Sequence, residues 1–158
     1  VVPEQKVDSV TVSSTHIRGL LEAGDVENAN RFLGHRHILS GTVISGRQLG
    51  RTIGIPTANI ELPQGLLVPK FGVYACLART ELGEFPAVTN IGTRPTVGGH
   101  HITVEPWLLD FEGDLYGTGM TLELLAFLRP ERKFGDLTAL QEEIRRNAAE
   151  TRKIFEKL

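Results

Sequence analysis

Several features that mark specialised proteins are scarce in this sequence. Its 158 residues include one cysteine, Cys76, so no disulfide can form within the chain. Lysine and arginine number 17 against 19 acidic residues, so no basic excess favours nucleic acid as a partner. No apolar run approaches the roughly 18 residues of a membrane-spanning helix, so no membrane partner is expected. Together these features predict a cytoplasmic protein that folds without disulfides and does not bind nucleic acid.

The composition that remains is typical of a globular domain. Hydrophobic residues make up 41% of the chain, and the length fits one domain with a short appendage. Cys76 lies in the apolar alternation VYACLA, where a small buried thiol is the usual occupant.

The pattern of apolar residues divides the chain into a helical start, a β-rich middle and a helical end. Residues 13–34 predict two short helices separated at Gly24 and Asp25. After Pro130 an amphipathic helix is expected to pack on the barrel through Leu137, Leu140, Ile144, Thr151 and Phe155. Between them, six short alternating runs separated by glycine and proline predict strands that could close into a barrel: ILSGTVIS, ANIELP, GVYACLAR, FPAVTNIG, HITVEPWLLDF and MTLELLAFL.

A glycine-rich segment lies between the first two predicted strands. Gly46, Gly50 and Gly54 recur at a spacing of four residues, with Arg47 and Arg51 beside them. Glycine permits close approach of the backbone, so such a loop can turn its amides toward phosphate oxygens. The segment continues into a proline and a strand rather than a helix, so it is not a Walker loop or a dinucleotide fingerprint. A glycine-rich hairpin with solvated arginines is the alternative.

Two neutral oxygen donors follow the glycines. Thr57 and Asn59 are two residues apart and share a face of an extended strand. A hydroxyl and a carboxamide suit Mg²⁺, which completes its octahedron with water and substrate phosphates. The alternative is that both side chains satisfy backbone groups of a turn.

Glu105 is an acidic residue in an apolar strand, between Val104 and Leu108. Burial of an unpaired charge is unfavourable, so this carboxylate is exposed on the alternate face, paired with a base, or retained for function.

Five motifs in order resemble the riboflavin kinase family, in particular the kinase module of bacterial bifunctional FAD synthetases. They are GxxxGRxxGxPTAN, FGVYA, NIGTRPT, the TVE of residues 103–105, and LDFEGDLYG, and the likeness runs from about residue 40 to the end. The resemblance implies a six-stranded antiparallel Greek-key barrel with a C-terminal helix. It also implies transfer of phosphate from ATP to the ribityl 5′-hydroxyl of riboflavin, with Mg²⁺ as cofactor and FMN as product.

The resemblance also assigns roles to individual residues. Glu105 would be the catalytic base, and Thr57 and Asn59 would hold the magnesium. NIGTRPT is expected to be a loop near the substrates, although a simple turn is an equal alternative. Pro106 departs from the family pattern and is expected at a bulge or an unpaired edge, which bears on how Glu105 is oriented. The residues assigned to the nucleotide and substrates are Gly46, Gly50, Arg51, Gly54, Asn90 and Arg94.

Ser13 to Arg18, SSTHIR, resembles an element found late in the nucleotidyltransferase module of the same synthetases. The rest of that module would have to precede residue 1, so we expect a fragment of a longer protein that does not make FAD. Residues 1–37 would be the remnant of that module with linker helices, and residues 38–158 the kinase barrel with its helix. In this chain the motif is expected to cap a helix.

Two other classes of protein remain as alternatives. A flavin-binding or nucleotide-binding barrel without turnover would keep the glycine-rich segment but would not need Glu105 or a metal site. An interaction module would instead present an exposed basic or aromatic surface, for which the composition gives no support.

Overall fold

The computed structural model describes residues 5–7, 10–12, 14–44, 58–62, 68–97, 99–111, 115–131 and 134–158. The elements within these ranges are, in chain order, β1 (Gln5–Val7), β2 (Val10–Val12), α1 (Ser14–Glu22), α2 (Val26–Leu33), β3 (Ile38–Ile44), β4 (Asn59–Glu61), β5 (Gly72–Thr80), β6 (Gly83–Thr96), β7 (Gly99–Leu108), β8 (Gly119–Arg129) and α3 (Leu137–Glu156).

Six of the strands form a closed antiparallel barrel in the order β3, β4, β7, β6, β5, β8, with β8 pairing back to β3. Strands β5, β6 and β7 follow one another as hairpins, and β8 returns to lie beside β5. That arrangement is a Greek key, so the predicted barrel is confirmed. The separate β1 and β2 ladder was not predicted from the sequence.

The two N-terminal helices break at Gly24 and Asp25, as predicted. The Asp25 carboxylate accepts from the Asn28 amide and caps α2. Asn30 ties α2 to the barrel, since its Nδ2 donates to the Leu124 carbonyl at 2.7 Å and its Oδ1 accepts from the His37 amide at 2.6 Å. The side chains of Leu21, Val26 and Ala29 are buried in the same apolar cluster as the barrel interior. SSTHIR was expected to cap a helix; its first residue, Ser13, lies outside the described residues, and Ser14 to Arg18 are in α1.

Cys76 is a packing residue inside the barrel, fully buried among apolar side chains. Burial raises the pKa of its thiol to about 12. The neighbouring Tyr74 is also inside, and its hydroxyl donates to the Lys70 carbonyl at 2.5 Å.

Helix α3 lies on the outside of the barrel and covers β5 and its neighbours. Its Ala148 packs with Val73 and Val88, while Ile154 and Phe155 pack on a second apolar cluster of β5 and β8. One part of the predicted apolar face is wrong, because Leu137 is 61% exposed. Thr151 is buried as predicted, and two further polar positions of the helix, Glu143 and Asn147, are buried as well.

Gly41 in β3 lets β4 lie close against it. A Cβ at residue 41 would collide with the Glu61 carbonyl oxygen and would lie 2.6 Å from the Ile60 side chain. The clash would be with backbone, so relief requires β4 to move as a unit. Gly41 therefore fixes the position of β4, the strand that begins at Asn59.

Replacement of this glycine tests the close approach. We expect Gly41→Ala to lower the free energy of unfolding by about 2 kcal/mol or more, since it overpacks a backbone contact. Gly119→Ala is the matched control, because Gly119 lies on the partner strand β8 and a Cβ added there would meet no atom within 4 Å. It should change stability by less than about 0.5 kcal/mol in urea unfolding. Equal effects of the two substitutions would contradict the assignment.

Candidate functional site

Three polar residues on three adjacent strands share the outer face of the barrel. Strand β7 lies between β4 and β6, with Val104 opposite Ile60 on one side and Ile91 on the other. These three apolar side chains point into the barrel, so the adjacent residues in each strand point outward. Among those outward residues are Asn59, Glu105 and Asn90, here called the polar row.

The strand register aligns the members of the polar row. Asn90 is the direct cross-strand partner of Glu105. On the other side, the Ile60 and Val104 pairing places Asn59 opposite Glu105, and the Ala58 amide donates to the Pro106 carbonyl at 2.9 Å in the same register. Directly opposed residues have Cα atoms about 4.5 to 5.5 Å apart, so the three side chains are immediate neighbours.

The members of the polar row differ in burial. Asn59 is 6% exposed, whereas Glu105 and Asn90 are half-buried. The Asn90 Oδ1 is buried, and no residue in the described part of the chain donates a hydrogen bond to it. The row therefore combines a carboxylate that can accept a proton with carboxamides that supply neutral oxygens.

The polar row contains two residues predicted from the sequence as catalytic or metal-binding, Glu105 and Asn59. Other predicted site residues lie outside the described residues: Gly46, Gly50, Arg51, Gly54 and Thr57.

NIGTRPT is not a loop, which corrects the expectation from the sequence. Asn90 and Arg94 both lie in β6, with Arg94 opposite His101. The β6 and β7 ladder continues to the pair of Thr96 and Gly99. Gly92 in this stretch lies against the carboxylate of Glu131, an exposed and flexible side chain. That contact comes from another part of the chain, so local sequence could not reveal it.

Pro106 is neither at a bulge nor at an unpaired edge, contrary to expectation. It lies in β7 opposite Thr89 of β6, and its carbonyl accepts from Ala58 on the β4 side. Its backbone groups therefore face β4, and the missing amide removes a bond to β4 rather than to β6. The pairing of Glu105 with Asn90 is left intact.

A buried polar cluster fixes α3 near the same face. Arg129 ends β8, and its Nε donates to Asn147 Oδ1 at 3.0 Å and lies 3.5 Å from Glu143 Oε1. Its guanidinium also stacks over the Phe134 ring. Arg129 and Asn90 are both cross-strand partners of Val73, so the cluster lies at the level of the polar row. Sequence reasoning missed this cluster, although two polar residues at helical spacing were a possible signal.

Comparison with known proteins identifies close relatives. The family model described as flavokinase, riboflavin kinase, matches residues 33–155. Proteins named bifunctional riboflavin kinase/FMN adenylyltransferase match at 36% identity in Listeria monocytogenes, over 100% of this chain and 51% of the relative. The protein of the same name in Escherichia coli is 42% identical, over 92% of this chain and 47% of that protein. This chain thus spans about half the length of the curated relatives it matches.

Two solved structures share the fold. A riboflavin kinase from Trypanosoma brucei has a TM-score of 0.59 at 29% identity, covering 76% of this chain and 77% of that one. A chain described as a macrolide-efflux protein from Streptococcus pneumoniae has a TM-score of 0.89 at 30% identity, covering 96% of this chain and 50% of that one. No helix in the described ranges has the length and apolarity needed to cross a membrane.

Removal of Glu143 tests the cluster that holds α3. We expect Glu143→Ala to lower the free energy of unfolding by about 2 to 4 kcal/mol, because it leaves the mostly buried Arg129 without this carboxylate. The adjacent Glu142 is exposed on the same helix, so Glu142→Ala is the control and should change little. Chemical denaturation of both variants measures the free energy of unfolding. Equal losses in the two variants would show that the cluster does not anchor the helix.

Proposed function

Because the chain belongs to the riboflavin kinase family, we propose that it transfers the γ-phosphoryl group of ATP to the ribityl 5′-hydroxyl of riboflavin, giving FMN and ADP. The observation that carries this proposal is the opposition of Asn59 and Glu105 on β4 and β7. A candidate magnesium ligand and a candidate base then lie side by side, as a kinase requires. A non-catalytic flavin-binding or nucleotide-binding barrel would have no need of that pair.

The reaction asks little covalent chemistry of the protein. The 5′-hydroxyl oxygen forms a bond to the γ-phosphorus while the bond from that phosphorus to the β,γ-bridging oxygen breaks, and its electrons leave with ADP. Glu105 accepts the proton of the attacking hydroxyl. Its strand is paired on both sides, which fixes the backbone position from which the carboxylate extends. Most of the rate enhancement is expected from alignment and from neutralisation of phosphate charge.

The donor set on the phosphate side suits Mg²⁺. Asn59 offers a neutral carboxamide oxygen from a nearly buried position, and Thr57 would add a hydroxyl two residues away. When bound, the ion would neutralise charge on the phosphates of ATP. The loop glycines and Arg51 would cover those phosphates, and Arg94 would add positive charge from β6. Gly46, Gly50 and Gly54 are the glycines in question.

The relatives are about twice as long as this chain, which bears on the full reaction sequence. We propose that a covalently linked nucleotidyltransferase module accompanies this domain in the full-length protein, that residues 1–37 belong to its end and to the linker helices, and that the protein acts in the cytoplasm. The chain by itself would then form FMN but not FAD.

An assay of both products tests this division. Incubation of the chain with riboflavin, ATP and Mg²⁺, followed by chromatography, should yield FMN without FAD, and chelation of the metal should abolish FMN. Absence of FMN from the folded chain would favour the non-catalytic barrel. Formation of FAD would overturn the assignment of residues 1–37.

Substitution of the base tests the residue assignment. We expect Glu105→Gln to lower kcat by about 100-fold to 10,000-fold with little change in riboflavin affinity, because the amide cannot accept the proton. Glu84→Gln is the control, since this exposed carboxylate of β6 pairs with Arg79 away from the polar row. It should retain wild-type turnover. Undiminished kcat in the Glu105 variant would remove Glu105 from the mechanism.

A further inference from the structure

The buried Asn90 Oδ1 lacks a donor within the described residues, although it neighbours the proposed base. A buried acceptor without a hydrogen bond costs about 1 to 3 kcal/mol, so such an atom calls for an explanation in a folded protein. Asn90 is not in a turn, where its side chain would bond to its own backbone. It lies within β6, with its backbone paired to β5 and β7.

The chemistry of the atom restricts its ligand. A carboxamide oxygen accepts hydrogen bonds and donates none, so it does not favour contact with phosphate oxygens, which are also acceptors. It suits a hydroxyl donor. In the polar row Glu105 separates Asn90 from Asn59, the candidate magnesium ligand. Asn90 therefore lies on the side of the base away from Asn59, where the acceptor substrate is expected.

The face changes character immediately beyond Asn90. Its partner on β5 is Val73, which is buried with Val88 and Ala148 beneath α3. Asn90 is thus the last polar member of the row before an apolar, helix-covered surface.

This inference rests on the proposed function. We propose that Asn90 Oδ1 accepts a hydrogen bond from the 4′-hydroxyl of the ribityl chain, which is next to the reacting 5′-hydroxyl. Adjacent hydroxyl oxygens of a polyol are about as far apart as two hydrogen-bonded groups, and Glu105 and Asn90 are directly opposed. Asn90 then determines specificity for a polyol chain and helps to hold the 5′-hydroxyl at Glu105. A site built to bond a substrate hydroxyl discriminates strongly against an analogue that lacks it.

A substrate and variant cycle tests the bond. The wild-type chain and Asn90→Ala are each assayed with riboflavin, 4′-deoxyriboflavin and, as control analogue, 2′-deoxyriboflavin. In the wild type, loss of the 4′-hydroxyl should lower kcat/KM by about 10-fold or more, whereas loss of the 2′-hydroxyl should matter less. In Asn90→Ala, riboflavin and 4′-deoxyriboflavin should differ by no more than about 3-fold, because the acceptor is gone.

Other outcomes would overturn the proposal. Equal loss of activity with all three substrates in Asn90→Ala would show a general structural role. A raised Mg²⁺ requirement with undiminished 4′-hydroxyl discrimination would make Asn90 a metal ligand instead. If Asn90→Ala does not fold, the wild-type chain still tests the proposal. Equal kcat/KM for 4′-deoxyriboflavin and 2′-deoxyriboflavin in the wild type would contradict the hydrogen bond.

Binding separates this proposal from the proposed function. Dissociation constants of the three flavins with the wild type and Asn90→Ala, measured in the presence of MgADP by flavin fluorescence, should follow the same pattern. A wild type that binds riboflavin but forms no FMN would refute the kinase assignment and leave the Asn90 contact to be judged from these constants. A wild type that forms FMN without 4′-hydroxyl discrimination in either measurement would refute only the contact.

Discussion

The register of β7 is the constraint on which the site depends. Successive residues of a strand point to opposite faces, so Val104 can enter the barrel only if Glu105 lies outside. A shift by one residue would bury the carboxylate in an apolar interior and expose Val104, and both changes are unfavourable. Strand β6 sets this register, because its ladder with β7 runs from the pair of Ala87 and Leu108 to that of Thr96 and Gly99.

Strand β4 is attached to this frame much more sparsely. Its close approach to β3 depends on Gly41, and its ladder with β7 is limited at one end by Pro106. The opposition of Asn59 to Glu105 is therefore specified by a few contacts, whereas that of Asn90 is specified by a long ladder. Stability in proteins is distributed unevenly in this way, and elements that bind ligands are often the less stable ones.

Sequence predicted the barrel strands and the break between the first helices because those signals are local. Alternating side chains mark a half-buried strand, and Gly24 with Asp25 marks a helix boundary without reference to the rest of the chain. The predictions from sequence were wrong where contacts with residues distant in the chain determine the local structure. NIGTRPT resembled a turn but is paired with β7 along its whole length, and Leu137 was expected to be buried but is exposed as the first residue of α3. For the site, the sequence predicted Asn59 and Glu105 as candidates, but only strand pairing shows that they are opposed.

Placement of the polar row on strands rather than loops suits a reaction that depends on alignment. Strand spacing is fixed at about 4.8 Å by backbone hydrogen bonds, so the row holds its groups at set intervals before any substrate binds. A rigid arrangement loses little entropy when it orients a flexible polyol chain, and the cost of ordering then falls mainly on the substrate. The buried Val73 and the Arg129 cluster continue the same level of the barrel beneath α3. The polar row therefore ends at Asn90, next to the part of the barrel that α3 covers.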